Sequence, residues 1–305
     1  MSFQYELAKF IDFRDQEKCD QVRKIPKKEI TDHENGDFNI RIIEEPADFY
    51  FEFALDIVQR IMKANRDGRD MVGIFPVGPM PQYPLAARMI NEFEVPCDRL
   101  HIFAMDEYAD QNGNTAPVDW PGSFQKAMLE DFIKPIDEDL RPPMDQVHFP
   151  TSEVIDSYSS MMDDLGGVDI CYGGIGWCGH IAFWESHLWE EFGDDLEAYK
   201  QAGPRTVELN PMTVMQNALH SFDGDWSQVP PKANTIGPSQ ITGADYRSFW
   251  LDGSIGGGIS WQRFIARLVA HGPVTTKVPG SILQTLPGTY TILGGVAENI
   301  EIEMH

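Results

Sequence analysis

From Ile40 onward the apolar and polar positions alternate between short, fully apolar runs and amphipathic stretches. Residues 40–43 read as a strand, and Pro46 then opens a helix on which Phe49, Phe53, Ile57 and Ile61 recur every fourth position along one face. An apolar run at 71–75, a Pro/Gly turn and an amphipathic stretch over 81–93 follow. Further strand-like runs lie at 100–104, 168–172, 248–251 and 290–293, and a helix is expected over 259–270. This rhythm predicts an α/β fold of three layers, a mostly parallel sheet with helices on both faces. In such sheets ligands bind outside the carboxyl ends of the strands, so chemistry is sought there.

Residues 1–37 break the rhythm. They are highly charged and read as an extension over the body or partly mobile, leaving 38–305 as a single α/β domain. There is no internal repeat or low-complexity tract. No apolar run approaches the ~18 residues of a membrane span. The first residues have neither a cationic start nor an apolar core, so no signal peptide is expected. The chain of 305 residues is 42% hydrophobic and carries a formal charge of −24, which opposes nucleic acid and anionic membranes as partners. Cys19, Cys97, Cys171 and Cys178 are scattered, which suits free thiols in a cytoplasmic setting and gives no structural zinc pattern.

Two strand ends carry candidate chemistry. After 100–104 come Met105, Asp106, Glu107 and Tyr108. A carboxylate there serves either as a general base whose pKa burial has raised, or as the cap of the next turn. After 168–172 the chain reads Gly173-Gly174-Ile175-Gly176-Trp177-Cys178-Gly179-His180-Ile181-Ala182-Phe183-Trp184-Glu185. The glycines allow close approach to a ligand or a tight turn alone, and His180 is either a structural histidine or an acid/base oriented by Glu185. Cys178 and His180 sit too close in sequence for a good nucleophile pair, and no further residues complete a metal site. Trp120, Trp177, Trp184 and Trp189 cluster near this region in sequence; they serve as core filling or, at Trp184 above all, as a sugar-stacking face.

Taken in order, Phe103-Ala104-Met105-Asp106-Glu107-Tyr108, the run from Gly173 to Glu185, and Phe222-Asp223-Gly224-Asp225 through Val229-Pro230 to Ala233, Thr235 and Gly237 resemble the glucosamine-6-phosphate isomerase/deaminase family. The resemblance spans about Ile40 to Gly295. It implies the Rossmann-like fold shared by these deaminases and the related lactonases, and its His-Ile-Ala-Phe-x-Glu ending favours the deaminase branch. It further implies that Asp106 moves a proton between C1 and C2 of an open-chain sugar, that His180 assists ring opening and that Glu185 orients it. Gly78, Met80, Glu107, Gly174, Gly176, Cys178, Gly179 and Trp184 would then contact substrate. No cofactor or metal is required, the partner is a sugar or amino sugar, and a homo-oligomer is compatible with the family.

Four departures stand out. Cys178 replaces a family Asp, so the pKa of His180 should depend more on Glu185. Trp184 replaces an Asn. The family's phosphate loop appears as Pro76-Val77-Gly78-Pro79-Met80-Pro81, without hydroxyls and with a backbone donor lost at Pro79. A family Arg falls on Val214 and a family Lys near Gly256. Residues 253–258 could cradle an anion or form a plain turn, and Arg205, Lys232 and Arg247 could supply charge. Three functions are consistent with these residues. The first is an isomerase/deaminase with weakened or lost 6-phosphate recognition, the second a true 6-phosphate deaminase with a rebuilt anion site, and the third a non-catalytic sugar-binding regulator. The absence of a basic helix-turn-helix disfavours the third.

Overall fold

In the computed structural model, which describes residues 5–254 and 259–302, ten strands form two sheets. They are β1 (Phe38–Ile43), β2 (Met71–Phe75), β3 (Leu100–Ala104), β4 (Asp106–Ala109), β5 (Val147–His148), β6 (Ile170–Gly173), β7 (Arg205–Glu208), β8 (Lys232–Thr235), β9 (Tyr246–Leu251) and β10 (Gly288–Leu293). Seven of them make a sheet in the order β1-β10-β9-β6-β2-β3-β5, parallel at every pairing. No helix among the described residues is long and apolar enough to cross a membrane.

Apolar runs became buried strands because both faces of the sheet are covered. The helix Pro46–Asp67 buries Phe49, Phe53, Ile57 and Ile61, the stripe expected from its spacing. Phe53 stacks on Trp250 of β9 with ring centroids 4.4 Å apart, so this helix covers the face to which Trp250 points. Phe249 and its register partner Tyr290 point the other way. There the Tyr290 hydroxyl donates to the Ala266 carbonyl of the helix Arg263–His271.

The second sheet, absent from the sequence expectations, is antiparallel in the order β4-β8-β7. It begins one residue after β3 ends: Met105 N donates to Phe75 O, and Ile236 N donates to Met105 O. The chain thus leaves the parallel sheet and enters the small one within a single residue. The helix expected over 259–270 begins later, at Arg263, and the Gln262 side chain just before it ties down the preceding loop. It accepts from Gly253 N and donates to Ile175 O. Of the glycine run at 253–258, residues 255–258 lie outside the described residues.

The charged N-terminal stretch forms a helix, Gln16–Arg23, against the helix Arg263–His271. The fully buried Arg267 ties the two ends of the chain together. Its guanidinium donates to the carbonyls of Ile25, Arg263, Ala297 and Glu298 at 2.8–3.1 Å. Removing it strands several buried acceptors, and each such group costs about 1–3 kcal/mol. Arg267→Met is therefore expected to lower global stability by roughly 2–4 kcal/mol in denaturant titration, with the cavity chemistry retained in the folded fraction.

Candidate active site

The carboxyl ends of β2, β3, β6 and β9 open into a cavity of about 520 Å³. Gly78, Met80, Asp106, Gly174, Gly176 and His180 line it, joined by Tyr50, Tyr108, Phe183, Asn217, His220, Trp250, Asp252 and Trp261.

Asp106 opens β4 and is only 7% exposed. None of the described residues donates a hydrogen bond to its carboxylate. Burial without donors disfavours the charged form and pushes the pKa up to about 7; His180 pulls it down and Glu107 pushes it further up. Glu107, expected to touch substrate, is fully buried and does not line the cavity. Adjacent residues of a strand point to opposite faces, so Glu107 turns into the protein. There it accepts from Tyr108 N, Phe124 N, Gln125 N and the Ser123 hydroxyl at 2.8–3.1 Å, anchoring the start of the helix Phe124–Met128.

His180 sits in a loop closed on itself, with Gly176 N donating to His180 O and Gly179 N to Gly176 O. The imidazole lies directly over Gly176, where any Cβ would fall 1.9 Å from Nε2. Gly179 adopts φ +85°, which a side chain would strain, but it does not line the cavity. On the far side of the ring, Nδ1 lies 3.2 Å from Glu185 Oε2 and 3.0 Å from Thr213 Oγ1. Glu185 is fully buried and richly supplied with donors. Its Oε2 also accepts from Cys178 Sγ at 3.0 Å and from Thr213 Oγ1 at 2.9 Å, and its Oε1 from Asn210 N at 3.2 Å. With Glu185 as acceptor, Nδ1 carries hydrogen, leaving Nε2 as the working nitrogen. Burial opposes the imidazolium, yet the neighbouring Glu185 carboxylate outweighs it and raises the His180 pKa well above its ordinary value.

Cys178 lies behind the ring, outside the cavity wall, so it acts on His180 and Glu185 rather than on a ligand. Cys178, His180 and Glu185 are the group among the described residues whose ligating atoms, within 4.8 Å of one another, match the spacing of a cation site. Those atoms are already joined by hydrogen bonds. Thr213 had no signal in the sequence, because the helix Pro211–Ser221 brings it in from 28 residues beyond Glu185. The Asn210 side chain donates to the Ser186 hydroxyl, which donates to Asp12, so the N-terminal stretch braces the back of the site.

Trp184 also departs from expectation. It is fully buried against Phe192 and Tyr199, with the Arg205 guanidinium 4.5 Å over its ring, and does not reach the cavity. Trp120, Trp177 and Trp189 are likewise absent from the wall, where Trp250 and Trp261 stand instead. The proposed replacement cations are elsewhere too. Arg205 is spent on Trp184 and Glu191, Lys232 faces Glu208, and Arg247 binds the carbonyls of Ile241, Thr242 and Pro287. Among the described residues no Lys or Arg lines the cavity, whereas Asp106, Asp131 and Asp252 do. Val214 faces a different, apolar surface with Phe10 and Met215.

A donor-starved carboxylate facing the same cavity as a carboxylate-backed imidazole, at the strand ends of a doubly covered sheet, suits acid/base chemistry, and relatives in sequence place the chain in the sugar isomerase/deaminase class of enzymes. No family model matches the chain. It is 31% identical to glucosamine-6-phosphate deaminase of Caenorhabditis elegans over 222 residues, 70% of this chain and 76% of that protein. It is 29% identical to glucosamine-6-phosphate deaminase 2 of Bacillus subtilis (strain 168) over 254 residues, 80% and 90% of the two chains. Among solved structures, a monomeric glucosamine-6-phosphate deaminase superposes with a TM-score of 0.66 at 22% identity, covering 85% of this chain and 98% of that one. The 6-phosphogluconolactonase of Trypanosoma cruzi follows the same fold with a TM-score of 0.60 at 17% identity, covering 88% and 99%. The chain belongs to the glucosamine-6-phosphate deaminase family.

Two outcomes test this geometry. Gly176→Ala should displace the His180 ring and cut turnover about 100-fold or more while circular dichroism shows a retained fold. Asp106 carries a folded pKa of about 7 against an ordinary 3.8, so the native state binds more protons between those values and loses stability as pH rises through them. Asp106→Asn should remove that loss. Denaturant titrations should find the variant more stable than wild type by a few kcal/mol at pH 8, and nearly equal to it at pH 4.

Proposed function

We propose that this enzyme isomerises an open-chain hexosamine or related aldose through an enediol or enolamine, releasing ammonia where C2 bears an amine, with weakened recognition of a 6-phosphate. The observation that carries the reading is the pairing, in one cavity without Lys or Arg among its described walls, of the unpartnered Asp106 carboxylate with the Glu185-backed His180.

A carboxylate held near neutrality is suited to take a proton from carbon and return it. Asp106 removes the C2 hydrogen as a proton, the C–H pair becomes the C1=C2 bond, and O1 takes up a proton. Asp106 then delivers its proton to C1 while the nitrogen pair forms C2=N. Water adds at C2 and ammonia leaves, giving the ketose. His180, donating through Nε2, protonates the ring oxygen to open the cyclic sugar, and Glu185 stabilises the imidazolium beforehand. Cys178, by donating to Glu185, keeps that carboxylate in place without adding the repulsion of another carboxylate.

A 6-phosphate deaminase with a rebuilt anion site is the second reading, and the names of the relatives favour it. Against it stand the cavity walls. Charge-assisted bonds to phosphate each contribute ~1.5–3 kcal/mol, and Pro79 and Pro81 have no N–H with which to make one.

Proton exchange at C2 in deuterated buffer, followed by NMR over paired phosphorylated and unphosphorylated glucosamine, galactosamine, mannosamine and glucose, separates the two. Exchange favouring the unphosphorylated sugars, reduced about 10²–10⁴-fold by Asp106→Asn, is the expected result. Exchange confined to the 6-phosphates would replace the first reading with the second. The wild-type rate should also rise with pH through about 7 as Asp106 ionises; a flat profile across that range would remove Asp106 as the base.

A further inference from the structure

The end of the cavity away from Asp106 is built to accept hydrogen bonds. Asp106 follows β3, whereas Asp252 follows β9, three places along the sheet, so their strand ends stand about 14 Å apart at ~4.8 Å per strand. Both side chains line the same cavity. Between them lie the loop with Gly78 and Met80 after β2 and the glycine turn after β6.

Asp252 is fixed by one side-chain donor. The Tyr50 hydroxyl, from the first turns of the helix Pro46–Asp67, gives a 2.7 Å bond to Oδ2, and the residue's own backbone N–H adds to it. Tyr50 is braced edge-on by Phe49, which packs edge-on against Trp250. Burial raises the Asp252 pKa, with Tyr50 and His220 pulling it back. Beside it, His220 Nε2 accepts from Trp261 Nε1 at 2.8 Å, which leaves Nδ1–H as a donor of its own. The neighbouring loop is short of donors at its prolines. Pro79 and Pro81 have no N–H, and the Gln82 amide, which opens the next helix, turns inward to the Pro79 carbonyl at 2.6 Å. An anion placed beside Asp252 meets a carboxylate, whereas a hydroxyl meets an oriented acceptor with a donor alongside.

Resting on the isomerase reading above, we propose that Asp252, oriented by Tyr50, accepts a hydrogen bond from the terminal hydroxyl of an unphosphorylated hexosamine and excludes the corresponding 6-phosphate. Asp252 is thus a specificity residue at the end of the substrate remote from the reacting carbons. A site built to bond a hydroxyl penalises both the analogue that lacks it and the one that replaces it with charge.

The test compares glucosamine, 6-deoxyglucosamine and glucosamine 6-phosphate by C2 exchange and kcat/KM, in wild type, Asp252→Ala and Tyr50→Phe. Thermal melts verify that the variants fold. Wild type is expected to prefer glucosamine over the 6-deoxy sugar by about tenfold or more, and over the 6-phosphate by about 100-fold. Asp252→Ala should bring the first ratio to near unity and shrink the second. Tyr50→Phe should raise KM for glucosamine about threefold to tenfold with little change in kcat. Equal use of glucosamine and its 6-deoxy analogue by wild type, or unchanged ratios in Asp252→Ala, would overturn the assignment while leaving the isomerase reading intact. Absence of C2 exchange with all three would sink that reading instead. Calorimetric binding of 2-amino-2-deoxyglucitol, its 6-deoxy form and its 6-phosphate would then decide the Asp252 assignment on the same ratios.

Discussion

The supply of hydrogen-bond donors to buried carboxylates is the constraint on which this site rests. Three such groups lie close together and are treated differently. Glu107 receives four donors and Glu185 receives donors from His180, Cys178, Thr213 and the Asn210 backbone, while Asp106 receives none from the described residues. A buried carboxylate without donors has its pKa raised to about 7, the protonation behaviour that suits the proposed base. A buried carboxylate rich in donors is held in one orientation, and Glu185 so held faces the His180 imidazole. The same chemical group serves as scaffold, counter-ion and proposed base according to its surroundings.

The fold enforces that division. Crossing from the parallel sheet into the antiparallel one within a single residue puts Asp106 and Glu107 on opposite faces of β4 at the sheet's carboxyl edge. One side chain enters the cavity and the next is sealed beneath the helix Phe124–Met128. The close loop over Gly176 does the equivalent for His180, pressing the ring against backbone so that one nitrogen faces Glu185 and the other remains free to work. Asp12, through Ser186 and Asn210, extends this brace to the N-terminal stretch.

The two ends of the cavity differ in how charge is handled. Behind His180 the Cys178 thiol joins Thr213 as a donor to Glu185, in a place where a second carboxylate would add negative charge. At the other end Pro79, Met80 and Pro81 line the wall together with Asp252, and no Lys or Arg of the described residues joins them. The proposed proton-transfer centre and the proposed recognition end therefore draw on separate elements of the fold.

The apolar periodicity alone determined the parallel α/β architecture, because strands covered on both faces must be apolar throughout and the helix Pro46–Asp67 must carry a stripe every fourth position. The strand-end rule and local motifs also determined that Asp106, His180 and Glu185 deserved to be brought together. Tertiary structure alone decided which neighbours serve them. Glu107 and Trp184 were legible as adjacent residues but not as inward-facing ones, since the direction of a side chain follows strand pairing and loop closure. Thr213, Tyr50 and Asp252 come from separate elements, and their meeting with His180 or with one another depends on how helices dock on the sheet. Sequence encodes local periodicity and turn chemistry directly; the donors, burial and missing cations that set a pKa or a preference arise only when distant segments share one cavity.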